Sequence, residues 1–184
     1  MLRLRRKTGR CLAMKATLQV INQMVADKVI DNYAIGGAVA AIAYLEPFLT
    51  QDVDVFMSFS TTSSGLIVSP APIYEYFSSR GYNAEREYIR IEGWLVQFLP
   101  TEKPLYAEAL ASAITRDVDG VPVRVFSAEH LMAIALDTGR AKDHARLVQF
   151  VEAGVFEPAT LHAILQRHAL VDKWSRFEQR FLQP

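Results

Sequence analysis

Two aspartates, Asp52 and Asp54, flank a single valine in the run DVDVFM, residues 52–57. The run predicts a β-strand, and because side chains alternate sides along a strand, both carboxylates point to the same face. Two negative charges on one face repel each other unless a cation or a proton lies between them. Carboxylate oxygens are the ligands that Mg²⁺ prefers. The pair is therefore a candidate Mg²⁺ site, and a merely polar strand end is the alternative interpretation.

A glycine pair, Gly36 and Gly37, lies before the two aspartates in the run YAIGG. This run predicts a short buried strand that breaks at the glycines, and the following AVAAIAYLE predicts a helix that Pro47 ends. Such a turn can bring backbone N–H groups and the positive end of a helix to a phosphate. An ordinary turn is again the alternative.

Further elements must position these residues. Apolar residues at helical spacing predict an amphipathic helix over residues 12–30. The Ser/Thr-rich stretch 58–69 predicts a loop, and Pro70 and Gly81 bracket another predicted helix. "EYIRIEGWLVQFLP", residues 87–100, predicts a hairpin with a turn at Glu92 and Gly93.

A two-residue turn fixes the register of that hairpin. It places Ile91 opposite Trp94 and Tyr88 opposite Gln97. One face of the hairpin is then apolar. Gln97 falls on the other, polar face, which is the one to compare with the aspartates.

The second half of the chain is mostly helical by pattern. PLYAEALASAI predicts a helix and VPVRVF a last strand. Ser127 can cap the next helix, Gly154 can end another, and Pro158 can begin a third. We expect an α+β fold with three parts: a disordered basic tail at residues 1–13, a core at 14–126 and a helical C-terminal segment at 127–184.

Composition narrows the functional classes. The 184 residues carry no formal net charge, and 51% of them are hydrophobic, which predicts one sizeable core and no global field that would attract nucleic acid. Cys11 is the single cysteine, so no internal disulfide can form, and four scattered histidines offer no zinc-type cluster.

No apolar run reaches the ~18 residues of a membrane span. The N-terminus lacks the apolar stretch of an export signal. We expect a cytoplasmic protein with no membrane partner, and leave open whether Met1 or Met14 is its start.

The order of these motifs resembles a known family. "AIGGAVAAIAYLEPFLTQDVDVF" is similar to the signature of the polymerase-β-like nucleotidyltransferase superfamily, in which a glycine-containing turn precedes a helix and an Asp-x-Asp strand. Together with "VQFLP" and "GRAKDHAR", it more closely resembles the nucleotidyltransferase toxins of abortive-infection and type IV toxin–antitoxin systems. The resemblance implies a nucleotidyltransferase-type mixed sheet flanked by helices.

The resemblance also implies residue roles. Gly36 and Gly37 would hold the triphosphate of an NTP, and Asp52 and Asp54 would bind Mg²⁺. Thr50 is a candidate from its position alone: just before the acidic strand, it would orient a metal-bound water or cap a loop.

Arg140, Lys142 and Asp143 match the family's later Arg-x-Lys-Asp motif, in which the lysine neutralises phosphate and the aspartate positions the nucleotide. A solvated surface is the alternative for the two cations. The motif often has a second acid three residues after the aspartate, where this chain has Arg146.

One departure concerns the third carboxylate that active members contribute from the strand beside Asp-x-Asp. The matching residue here is Gln97. An amide oxygen can ligate a metal, but it carries no charge and cannot act as a base.

We therefore expect a Mg²⁺-dependent enzyme that moves an NMP from an NTP to the hydroxyl of an RNA, a protein or a small molecule. It would be a candidate toxin–antitoxin component with a cognate antitoxin as partner. The alternative is a catalytically impaired nucleotide-binding or interaction protein that retains the fold.

Overall fold

The computed structural model describes residues 2–46, 50–58 and 71–182, with side chains from residue 12 onwards. Pro47, Pro70 and all of the predicted loop beyond Ser58 lie outside the described residues.

The described residues form one mixed sheet and helices that pack against it. The strands are β1 (Asn32–Ile35), β2 (Asp52–Ser58), β3 (Ala84–Glu85), β4 (Tyr88–Ile91), β5 (Trp94–Pro100), β6 (Ile114–Val118) and β7 (Val121–Val125). The helices are α1 (Leu2–Ala26), α2 (Gly37–Ala41), α3 (Ala71–Ser78), α4 (Pro104–Ala111), α5 (Ala128–Thr138), α6 (Ala141–Ala153), α7 (Pro158–Arg167) and α8 (Val171–Phe181). This architecture confirms the predicted fold class.

Strand β2 lies at the centre of the sheet, whose order is β3-β4-β5-β2-β1-β7-β6. It runs antiparallel to β1 and parallel to β5. Val53 and Val55 are fully buried, whereas Asp52 and Asp54, which alternate with them, are only partly buried. The alternation that the sequence predicted therefore gives β2 one apolar face and one acidic face.

Helices cover both faces of the sheet. On the apolar face α1 packs against β5 and β7, and the hydroxyl of Thr17 donates a hydrogen bond to the carbonyl of Ile91 at 3.0 Å. On the acidic face α2 and α4 contact β2, and α5 contacts both of those helices. The acidic face is thus enclosed by helices that can contribute side chains to a site.

The β4–β5 hairpin has the predicted register. Ile91 pairs with Trp94 and Tyr88 with Gln97. Glu92 and Gly93 both have positive φ, 47° and 90°, as a two-residue hairpin turn requires. The turn therefore places Gln97 at the position expected from sequence.

The C-terminal helices also begin and end as predicted. The Ser127 hydroxyl accepts a hydrogen bond from the backbone N–H of His130, Gly154 ends α6 in the left-handed conformation, and Pro158 is the first residue of α7. The division into a core at 14–126 and a helical segment at 127–184 stays a prediction.

Several boundaries differ from those predicted. The helix α1 ends at Ala26 rather than at residue 30, and it includes the backbone from Leu2 onwards, where we predicted a tail; the disorder of that tail in solution stays a prediction. Helix α2 ends at Ala41, and turns follow where we predicted continued helix.

The strand β6 was missed entirely. We predicted helix through Ile114, but α4 ends at Ala111 and β6 pairs antiparallel with β7. The middle of β6 is exposed because it lies at the edge of the sheet, so its residues show no apolar alternation. Within the described ranges, no helix has both the length and the apolar character needed to cross a membrane.

Candidate active site

The two aspartates line an open cleft of about 220 Å³ between the acidic face of the sheet and helices α5 and α6. Its polar and charged lining consists of Asp52, Asp54, Gln97, Thr138, Arg140, Lys142, Asp143 and Arg146. The structure thus brings together the acidic strand, the hairpin glutamine and the Arg-x-Lys-Asp motif from three separate parts of the chain.

Asp54 is the carboxylate with the more unusual electrostatic environment. Burial raises its pKa, and the negative charge of Asp52 raises it further. Lys142 and Arg140 oppose this effect and lower it. The charge of Asp52 therefore disfavours the ionised form of Asp54, and cations from α6 relieve part of that repulsion.

Thr50 orients Asp52 from outside the cleft. Its hydroxyl donates to the Oδ1 atom of Asp52 at 3.0 Å and lies 3.3 Å from the Asp52 carbonyl oxygen. Thr50 is not among the residues that line the cleft, so its position supports a role in holding the aspartate rather than direct contact with a ligand.

Gly37 lies against the carboxylate of Asp54. Its φ is +55°, and a Cβ atom at this position would lie only 1.8 Å from Asp54 Oδ2. Gly36 is equally restricted, because its Cβ would lie 2.5 Å from the ring of Phe56. The backbone N–H of Gly36 donates to the Asp54 carbonyl at 2.9 Å. The glycine pair therefore permits the turn to approach the acidic strand.

Only Gly37 of the glycine pair lines the cleft. The helix that follows has five residues, so it supplies little of the aligned backbone dipole that a longer helix offers to a phosphate.

The start of α6 forms the basic side of the cleft. Asp143 is 2% exposed and accepts hydrogen bonds from Nε of Arg140 at 2.6 Å and from its backbone N–H at 3.3 Å. Arg146 Nη1 lies 3.9 Å from the same carboxylate. The hydrogen bonds from Arg140 to Asp143 raise the pKa of the Arg140 guanidinium, so it stays charged. Asp143 thus holds Arg140 beside the cleft and lies next to the Arg146 guanidinium.

Lys142 differs from its two basic neighbours. Its side chain is exposed and forms no ion pair with the described residues, although its charge lowers the pKa of Asp54. It is therefore the cation of this helix that is best placed to meet an incoming anion.

Tyr88 borders the site. The sequence predicted its position in the hairpin, opposite Gln97, but no functional role for it. Its Cα pairs with that of Gln97, whose other partner across the sheet is Asp54. Burial raises the pKa of the Tyr88 phenol, and the charge of Asp52 raises it further. The hairpin register was the signal that could have identified it.

The cleft also has an apolar wall that sequence motifs did not reveal. It is formed by Phe56, Leu99, Tyr106, Leu131, Ile134 and Ala135. The rings of Phe56 and Tyr106 pack edge to face with centroids 5.1 Å apart. These residues come from β2, β5, α4 and α5, so no single stretch of sequence carries the pattern.

The donor atoms of the cleft fit a hard cation. Among the described residues no group of three or more His, Cys, Asp or Glu side chains could hold a metal. Mg²⁺ does not require such a cage, because it commonly binds through one or two carboxylates and takes its remaining ligands from water and substrate phosphates. Asp52, Asp54 and the amide oxygen of Gln97 supply that kind of donor set.

Comparison with known proteins identifies the architecture. No family model and no curated protein matches the chain. Among solved structures, a nucleotidyltransferase-like antigenic protein of Paracoccidioides brasiliensis matches with a TM-score of 0.54 and 16% identity, over 91% of this chain and 92% of that one. The chain has the nucleotidyltransferase fold.

Two structures of the antibiotic-resistance factor ANT(2'')-Ia show the same nucleotidyltransferase fold. Its solution structure matches with a TM-score of 0.56 and 15% identity, over 94% of this chain and 96% of that one. The crystal structure of its complex with adenylyl-2''-tobramycin matches with a TM-score of 0.51 and 14% identity, over 85% and 98% of the two chains. At these identities the likeness establishes the fold, and the predicted closeness to toxin families stays a prediction.

Proposed function

We propose that the protein is a Mg²⁺-dependent nucleotidyltransferase that moves an NMP from an NTP to an acceptor hydroxyl. One observation carries this proposal. Within a nucleotidyltransferase fold, a single cleft joins an aspartate pair on β2 to three basic residues at the start of α6. Carboxylates suit a metal, and basic side chains suit the phosphates that the metal accompanies.

The triphosphate binds between the glycine turn and the start of α6. Lys142 contacts its oxygens directly, while Arg140, held by Asp143, and the neighbouring Arg146 add positive charge. Gly37 lets the backbone approach because it has no side chain to block the Asp54 carboxylate. These contacts orient the α-phosphorus toward the acceptor.

Asp52 and Asp54 would hold Mg²⁺, which would supply positive charge to neutralise the phosphates. Thr50 keeps the Asp52 carboxylate in one orientation through its hydrogen bond. Gln97 contributes an amide oxygen without adding a charge. The acidic pair thus serves the metal, and its neighbours determine how rigidly the pair is held.

The transfer itself exchanges one bond for another. The acceptor oxygen forms a bond to the α-phosphorus, the bond from that phosphorus to the bridging oxygen of the β-phosphate breaks, and pyrophosphate leaves. The hydroxyl proton passes to a carboxylate oxygen of the acidic pair, because Gln97 cannot accept it. The apolar wall offers a surface against which the nucleobase or the acceptor packs.

The acceptor is a hydroxyl of an RNA, a protein or a small molecule. The ANT(2'')-Ia complex contains an adenylylated small molecule, which supports hydroxyl acceptors in general for this fold. Placement in the cytoplasm and a toxin–antitoxin role with a cognate antitoxin rest on the sequence pattern and the resemblance alone. A co-transcribed small neighbouring gene would support the toxin–antitoxin pairing.

A transfer assay tests the proposal. The parent and an Asp52→Asn/Asp54→Asn variant are incubated with each of the four α-³²P-labelled NTPs, Mg²⁺, and pools of RNA, protein and small hydroxyl compounds. We expect the parent to label one pool and the variant to label none. A parent that transfers no label with any NTP and any pool would contradict the proposed activity.

A further inference from the structure

A second depression lies on the far side of the α5–α6 junction from the cleft, with a volume of about 300 Å³. We call it the α8 groove, because α8 contributes most of its charged and aromatic lining. That lining consists of His144 from α6 and of Lys173, Arg176, Phe177, Arg180 and Phe181 from α8. Thr138 lines both the α8 groove and the cleft. A ligand long enough to pass this residue can occupy both.

The α8 groove is locally basic in a chain with no net charge. Lys173, Arg176 and Arg180 line it against one carboxylate, Asp137, which lies 3.1 Å from the Lys173 ammonium. Arg176 donates from Nε to the backbone carbonyl of Asp172, at 3.1 Å. Neither Arg176 nor Arg180 forms an ion pair with the described part of the chain. The groove therefore favours an anion.

Aromatic rings lie beside these cations. The His144 and Phe181 rings are tilted by 36° with centroids 5.1 Å apart, and Phe177 lies 5.2 Å from Phe181. Phe181 is 38% exposed, and the guanidinium of Arg180 lies 5.1 Å from the centroid of its ring. An exposed ring next to a guanidinium offers a surface on which a flat base can stack.

The geometry points to a single-stranded nucleic acid as the acceptor, with the α8 groove binding the strand behind its terminal hydroxyl. This inference rests on the proposed function. Phosphates contact Arg176 and Arg180, a base stacks on Phe181, and the strand passes Thr138 into the cleft. There the terminal hydroxyl oxygen bonds to the α-phosphorus of the NTP and pyrophosphate leaves, which lengthens the strand by one nucleotide. An anionic peptide would match the charges but would leave the exposed ring without a stacking partner.

Binding of a labelled strand tests the groove separately from transfer. Fluorescence anisotropy is measured with 5'-fluorescein oligonucleotides of about 12 nucleotides, one RNA and one DNA, at several salt concentrations. In Arg176→Gln/Arg180→Gln we expect weaker binding and a salt dependence lower by about 1.4 in slope, since each phosphate contact on a single strand contributes about 0.7. Phe181→Ala weakens binding by about fivefold or more, and Phe181→Tyr restores it, because a tyrosine ring also stacks.

Arg116→Gln/Lys28→Gln is the matched control. It removes the same charge at exposed positions outside both depressions, and we expect parent-like strand binding. Thermal melting of every variant shows whether it is folded. If the groove variants bind the strand as the parent does, or if the control loses as much affinity as they do, the inference is wrong.

Two further outcomes separate this inference from the proposed function. A parent that transfers NMP to another acceptor but binds neither oligonucleotide overturns the inference and leaves the activity standing. Strand binding that depends on the groove in a protein that binds no NTP supports the groove and contradicts the proposed activity. Poly-aspartate at equal concentration of charge could also displace the strand. If it does so, and if Phe181→Ala lowers the affinity for poly-aspartate as much as the affinity for the strand, the groove is a peptide site instead.

Discussion

Gln97 on β5 lies directly opposite Asp54 on β2, as its Cα partner in the parallel strand pair. Both side chains line the cleft. The position that the family resemblance assigns to a third carboxylate is therefore occupied by an uncharged amide, one strand away from an aspartate whose pKa is already raised by burial and by Asp52. We therefore expect the charge at this position to determine how strongly the cleft binds a cation.

Gln97→Asp should raise the affinity for Mg²⁺ and increase transfer. The new carboxylate adds a third anionic ligand, but without metal it also adds repulsion, so we expect a loss of about 1 kcal/mol in the free energy of unfolding that Mg²⁺ reverses. Thermal melting with and without Mg²⁺ measures this, with Gln97→Asn as the control that shortens the side chain without a charge. Mg²⁺ that stabilises both variants equally would contradict the predicted effect of the charge. Robust parental turnover that Gln97→Asp abolishes would show that the amide itself is required.

Gly37→Ala should displace the Asp54 carboxylate and so weaken Mg²⁺-dependent NTP binding by more than its loss of stability explains. The added Cβ would lie 1.8 Å from Asp54 Oδ2, so the carboxylate must move. Gly81→Ala is the matched control, because Gly81 has a similar positive φ of +80° and its Cβ would have nothing within 4 Å. Both variants should lose roughly 1 to 2 kcal/mol of stability from the left-handed backbone, but only Gly37→Ala should lose Mg²⁺-dependent NTP binding. Equal NTP affinities, measured by calorimetry, would mean that Asp54 does not need its present position.

Lys142→Ala should weaken NTP binding by about tenfold or more, since a charge-assisted phosphate contact contributes roughly 1.5 to 3 kcal/mol. The side chain is exposed and forms no ion pair with the described residues, so its removal should leave the melting temperature unchanged. Arg116→Ala, an exposed position on β6 outside the cleft, controls for the lost charge. Identical NTP affinities for the parent and Lys142→Ala would place the lysine on a solvated surface.

Glu108→Gln should destabilise the protein in a manner that depends on pH. Glu108 on α4 accepts hydrogen bonds from Arg167 at 2.5 Å and, when its ring nitrogen carries the proton, from His168 at 2.7 Å. The bond from Arg167 is the main cause that lowers the Glu108 pKa from 4.5 to about 2. These contacts join α4 to the end of α7.

A carboxyl whose pKa is lowered in the folded state contributes stability above its unfolded-state pKa and loses that contribution as the pH falls through its folded-state value. The free energy of unfolding of the parent should therefore exceed that of Glu108→Gln by roughly 1.5 to 3 kcal/mol at pH 7. This difference should shrink as the pH falls from about 4.5 towards 2. Urea unfolding at a series of pH values measures it, with the exposed Glu152→Gln as control. A difference that stays constant down to pH 3 would exclude a role for the Glu108 charge.

The sequence predicted the parts of the site that local patterns encode. Alternation along β2 placed both aspartates on one face, and the two-residue turn at Glu92 and Gly93 placed Gln97 in register. Both depend on neighbours in sequence, so no knowledge of the tertiary structure was needed.

The remaining features depend on tertiary contacts. The edge strand β6 has exposed central residues and so no apolar periodicity, and the apolar wall draws on four separate elements. The Glu108 cluster joins residues from α4 and the end of α7. Charge and residue type alone could not indicate which of these side chains meet.

The central claim is that the acidic pair binds the metal that accompanies an NTP. Calorimetric titration with the α,β-methylene analogue of each NTP, with and without Mg²⁺, tests it in the parent and in Asp52→Asn/Asp54→Asn, whose similar side-chain volumes keep the strand packed. We predict that Mg²⁺ tightens binding to the parent and has no such effect on the variant, while both proteins melt as folded chains. An affinity for the analogue that depends on Mg²⁺ equally in both proteins, or a parental affinity that does not change with Mg²⁺, would contradict the account.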